Sequence, residues 1–106
     1  MKLWIDDVRP APEGHLWVKS VHEGKIHCCQ YLSPDKVLHI EVMNLDHDSG
    51  DYQSMGGDYI ELLKWFEEKQ HLENWTIPTS FHIHSQNPVG IQNMRAIIQK
   101  NGWREI

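Results

Sequence analysis

The chain has little sulfur to bridge with. Its two cysteines, Cys28 and Cys29, are neighbours, and adjacent cysteines rarely pair with each other. A disulfide framework is therefore excluded, and the lack of a second Cys pair argues against a zinc site. One buried and one exposed thiol, both reduced in a cytosolic protein, is the expectation. Long apolar runs are lacking too. Met1-Lys2-Leu3-Trp4-Ile5 is cut short by Asp6, too early for a signal peptide, and no stretch reaches membrane-spanning length. A cytoplasmic location with no membrane partner follows as an expectation. No Lys/Arg run occurs and the formal net charge is -5, so a broad nucleic-acid-binding face is not expected. An acidic chain can still handle phosphate if a bound cation reverses the local charge.

What is present suits one globular domain over residues 1–106. A chain of this length buries a core without needing a disulfide or metal to fold. Tryptophan (five) and histidine (eight) are over-used, and several histidines sit beside aspartates. Short apolar segments predict strands over 2–5, 16–19, 37–45 and 79–84. Helices are predicted over 21–31, with Ser20 and Glu23 as a capping box, over 57–70, where Tyr59, Leu62, Leu63 and Phe66 recur at helical spacing, and over 88–100, where Met94, Ile97 and Ile98 form the buried stripe. The tail from Trp103 adds a short edge strand. Trp4 and Trp65 occupy apolar positions and are expected in the core. Strands alternating with helices argue for an α/β three-layer sandwich with a mostly parallel central sheet.

Such sheets bind ligands outside the carboxyl ends of their strands. Three predicted strands end in Asp6-Asp7, Asp46-His47-Asp48 and His84-Ser85, and neighbouring strands would bring these groups together. Asp6, Asp7 and Asp46 could hold Mg or Mn, hard cations that favour carboxylate oxygen, although any one of them could equally cap a turn. Clustered carboxylates repel unless a cation neutralises them. His84 could donate a proton or bind metal, while His47 and Asp48 could supply a base; a solvated loop histidine is the bland alternative for His47. His82 should pack deeper in the sheet. Ser85 and Asn87 stand where a strand passes into a helix, whose first N–H groups favour an anion. Arg9 could grip a phosphate with its planar fork or pair with a nearby aspartate.

The segments KLWIDDVRPAP, LDHDSGD and HSQNPVG, the last followed by Asn93-Met94, together resemble the cyclic-phosphate processing receiver-like domains. These are small stand-alone relatives of response-regulator receivers in bacteria and phages. The resemblance spans residue 2 to about residue 98 and implies a receiver-type, flavodoxin-like fold with a role in processing or sensing cyclic phosphates. Against an ordinary receiver, Asp6 and Asp7 resemble the metal-binding acidic pair, Asp46 the phosphoacceptor and Ser85 the switch hydroxyl. Departures are clear: the segment between Asp7 and Leu16 is too short for the usual first helix, so that helix should be missing, and no Lys follows the stub of a last strand. His47, Asp48 and His84 are additions that a phosphoryl switch does not require. The leading expectation is a metal-dependent phosphoesterase acting on a small phosphate-containing ligand, either a cyclic nucleotide or an RNA end. A non-catalytic sensor or sponge and a degenerate receiver phosphorylated on Asp46 are the alternatives, and a homodimer stays open.

Overall fold

The computed structural model describes residues 1–106 and contains strands β1 (Lys2–Ile5), β2 (His15–Val18), β3 (Val42–Leu45), β4 (Ser80–Ile83) and β5 (Arg104–Glu105), and helices α1 (Val21–Gln30), α2 (Ile60–Glu73) and α3 (Pro88–Lys100), with a 3-10 turn at Gly50–Tyr52. The strands form one sheet in the order β2-β1-β3-β4-β5, every pair parallel. This is the α/β, receiver-like architecture, with the loop 6–14 standing where a helix would join β1 to β2.

Local chemistry explains most boundaries. The Ser20 hydroxyl accepts from the Glu23 N–H and starts α1. Asn87 does the same for Gly90 at α3, with Pro88 at the first turn, and Gly102 (φ 69) follows the end of that helix. Helix α2 is displaced from the 57–70 expectation. Gly56 and Gly57 have φ 111 and 89, outside helical space, so the helix begins at Ile60. It continues to Glu73 because Asn74, left-handed at φ 59, provides the stop. Leu72 is 74% exposed, so no apolar rhythm announces that last turn.

Strand β3 is shorter than the expected 37–45. Val37 bridges Thr76, Leu38 bridges Leu32, and the His39 N–H donates to the Tyr31 carbonyl, so residues 37–39 are tied outside the sheet. Leu38 and Ile40 are buried all the same.

The helices occupy one face. Each crossover β2-α1-β3, β3-α2-β4 and β4-α3-β5 moves the same way across the sheet, and right-handed crossovers in one direction place all helices on one side. The single core cluster agrees. Its strand members Leu3, Ile5, Val18, Met43, Leu45 and Phe81 alternate onto one face, against Leu62, Phe66, Met94 and Ile98 of the helices. Only the β1-to-β2 connection runs the other way, and it contains no helix. The three-layer expectation is therefore corrected to two layers: the missing first helix takes a layer with it.

The tryptophans sort accordingly. Trp75 and Trp103 are the buried ones, Trp65 is half-buried beside the core, and Trp4 lies half-buried on the helix-free face. His82, expected to pack, is exposed, its Nδ1 donating to the Ile106 carbonyl at 2.7 Å. Cys28 is buried and Cys29 exposed. No helix is long and apolar enough to cross a membrane.

Candidate functional site

Because β1, β3 and β4 are neighbours, their carboxyl ends gather every residue singled out from the sequence. The Asp46 N–H donates to the Ile5 carbonyl and the His84 N–H to the Leu45 carbonyl, which fixes how the three strand ends meet. Asp6, Asp7 and Asp46 each offer a carboxylate oxygen within 4.8 Å of the others. Asp6 is buried and fully engaged: Oδ1 accepts from the Val8 and Arg9 N–H groups at 2.9 and 2.8 Å, and Oδ2 from His84 Nε2 at 3.0 Å. Burial alone would push its carboxyl up, but the Arg9 and Val8 N–H groups with His84 outweigh it and hold Asp6 below the ordinary aspartate range. Asp7 goes the other way. Burial raises it first, and the charges of Asp6, Asp46 and Asp51 add to that.

Gly50 makes room for Asp7. Its φ is 54, and a Cβ there would collide with Asp7 Oδ2. The buried Tyr59 phenol donates to the Lys19 carbonyl at 2.8 Å, and its pKa is pushed up by burial and then by the same carboxylates.

A second group stands beside the first. His47, Asp48 and Asp58 also bring ligand atoms within 4.8 Å of one another. His47 Nδ1 donates to Asp48 Oδ1 at 2.9 Å, and the ring lies on the first turn of α3, where a Cβ at Gly90 would stand 2.5 Å from its Cγ. Asp58 Oδ1 accepts from both the N–H and the hydroxyl of the fully buried Ser49, at 3.0 and 3.2 Å. Sequence reasoning missed Asp58, Gly50 and Gly90. The one local signal was the glycine in Asp48-Ser49-Gly50-Asp51, a turn composition that lets the loop fold back on the strand end.

His84 is held more firmly than its predicted role suggests. Its ring stacks on Trp4 at 4.0 Å and 4°, Nε2 faces Asp6, and Nδ1 is buried with no partner. Its side chain is 10% exposed. In this arrangement His84 orients Asp6, and His47, aligned by Asp48, is the imidazole not committed to the carboxylate triad. Arg9 reaches over the end of β4, Nη1 3.4 Å from the His84 carbonyl. Ser85 Oγ accepts from the Asn87 N–H at 3.1 Å, and Asn87 both caps α3 and points Nδ2 at Asp48 Oδ1, 3.4 Å away. Asp6, Asp7 and Asp46 offer hard oxygen donors from adjacent strands, the donor type that Mg or Mn prefers.

A family model described as the cyclic-phosphate processing receiver domain matches residues 1–100. No curated protein and no solved structure matches the chain.

Proposed function

The chain belongs to the cyclic-phosphate processing receiver family, and on that premise we propose that its strand-end site is a divalent-cation-dependent phosphoesterase for a small cyclic phosphate or related nucleotide. The observation that carries the reading is the Asp6, Asp7 and Asp46 triad, with donor atoms within 4.8 Å of one another beside the start of α3. These three residues would hold Mg or Mn, which supplies positive charge to a phosphoryl oxygen and acidifies a water. Asp6 is kept ionised and aimed by the Val8 and Arg9 N–H groups and by His84. His47 transfers the proton, with Asp48 fixing its ring through Nδ1. Arg9, Ser85 and Asn87 orient the phosphate, assisted by the N–H groups opening α3.

Extra imidazole and carboxylate beside the triad support hydrolysis over a phosphoryl switch. The test is incubation of the protein with magnesium or manganese, then with chelator, against cyclic mononucleotides, cyclic dinucleotides and RNA ending in 2′,3′-cyclic phosphate, read by mass spectrometry. A metal-dependent product that Asp46→Asn abolishes is the expected result. Recovery of a ligand bound but chemically unchanged would turn the reading to a sensor, and a mass gain of the protein removed by Asp46→Ala would turn it to phosphoacceptance. Absence of all three sinks the catalytic reading.

A further inference from the structure

The two faces of the sheet differ in chemistry. Parallel register sets His15, Lys2, Val42, Ser80 and Arg104 in one row across the helix-free face, and Trp17, Trp4, Asn44 and His82 in the next. Successive rows on one face stand roughly 6.6 Å apart, twice the rise per residue. The next step toward the carboxyl ends meets the carboxylate site itself, since Trp4 stacks on His84 and His84 holds Asp6. A basic row, an aromatic row and a phosphate-handling site thus follow one another along the strands.

Carboxylate pairing of the cations is denser on the helical side, where Lys25 and Lys36 alone lack it: Lys25 lies 5.6 Å from the Trp65 ring centroid and Lys36 donates to the Glu73 carbonyl. Lys64, Lys69, Lys100 and Arg95 are paired with Glu61, Glu73, Glu67 and Glu105 on and around α2 and α3. Lys2, Arg9, Lys19 and Arg104, on or bordering the helix-free face, have no carboxylate partner; Lys19 instead lies 4.3 Å over the Trp17 ring. The exposed cations Lys2, Arg9 and Arg104 are therefore free to meet phosphate. A net charge of -5 conceals this, because charge summed over a chain has no sidedness.

We propose that the helix-free face docks single-stranded RNA and delivers its 3′ end to the carboxylate site; the choice of RNA rests on the phosphoesterase reading above. A cyclic phosphate at a strand end requires a 2′-hydroxyl, which only RNA provides. Backbone phosphates meet the unpaired cations, and unstacked bases lie on the His82 ring and on the face of Trp17 opposite Lys19, the way open sheets and aromatic platforms bind single strands. An acidic peptide would satisfy the cations but leave the aromatic row without planar partners. A duplex hides its base faces from such a row. Such a face is narrow, so it is compatible with the expectation from composition that no broad nucleic-acid-binding face exists.

Binding is measured by anisotropy of a labelled short oligouridine, in chelator, with the full chain. Wild type binds, and Lys2→Glu/Arg104→Glu weakens binding about tenfold or more and makes the salt dependence shallower by about 1.4 log units per log unit, the release expected for two phosphate contacts on a single strand. Lys64→Glu, on the helical face, binds as wild type. The neutral pair Lys2→Gln/Arg104→Gln, checked by circular dichroism for folding, gives an intermediate loss. No binding by wild type, equal competition by duplex RNA, or an equal loss in Lys64→Glu would each overturn the proposal. Failure to turn over any of the cyclic mononucleotides, cyclic dinucleotides or cyclic-phosphate RNA ends with magnesium would sink the phosphoesterase reading while leaving these chelator-based readouts intact.

Discussion

Replacing Asp7 with asparagine should make the metal-free protein more stable. The donor oxygens of Asp6, Asp7 and Asp46 lie within 4.8 Å of one another. At that spacing one carboxylate pair repels by about 0.9 kcal/mol in a water-like dielectric and by about 3.5 kcal/mol at an effective dielectric of 20. Asp7 is half-buried and faces two such partners, so the low end applies twice, about 2 kcal/mol, less whatever its own carboxylate gains from the backbone N–H. A net of roughly 1–2 kcal/mol raises the unfolding midpoint of a domain this size by about 5–15 °C. The sign follows from linkage. The folded-state pKa of Asp7 is raised, so folding favours its protonated form; the destabilisation is absent below the unfolded-state pKa and complete once pH has passed the folded-state value. Thermal unfolding in chelator, scanned from about pH 4 to about pH 8, should therefore show wild type losing stability where Asp7→Asn does not. Magnesium should reverse the order, stabilising wild type by mass action and the variant far less. A variant less stable than wild type in chelator, with an undiminished magnesium response, would refute the reasoning.

Asp6→Asn should do the opposite. Its folded-state pKa is lowered, so the carboxylate contributes stability above the unfolded-state value that is lost as pH falls through the folded-state one; the variant should be less stable at neutral pH and lack that part of the acid slope in urea unfolding. Gly90→Ala should fold, since alanine suits the first turn of a helix, yet push the His47 ring off α3 and cut turnover about tenfold or more, with the displacement visible in the His47 imidazole NMR signals. Asp58→Ala should cost about 1–3 kcal/mol in chemical unfolding, because it strips the acceptor from two donors of the fully buried Ser49.

The strand ends could be read from the chain because a short apolar run that stops dead at Asp6-Asp7 or Asp46-His47-Asp48 encodes both burial and its limit. Caps at Ser20 and Asn87 were legible for the same local reason. Asp58 was not. It reaches Ser49 only because the intervening loop turns at positive-φ glycines, and no periodic signal records a loop's return path. Sidedness was equally hidden. Whether Trp4 or Trp103 faces the core depends on strand order and crossover direction, properties of the assembled sheet that neither residue's neighbours reveal.

Strand β1 hydrogen-bonds to β2 on one side and to β3 on the other, so the first strand in the chain sits inside the sheet. One partner follows after a short loop, the other only after α1 and the segment tied to Thr76. The carboxylate triad draws Asp6 and Asp7 from the first strand and Asp46 from the third. During refolding, then, a chain that has paired β1 with β2 alone owns two of the three carboxylates and no third. Closing that long loop is the slow kind of contact. Magnesium affinity should appear as a late event on the folding pathway, and magnesium present from the start should slow unfolding more than it speeds folding.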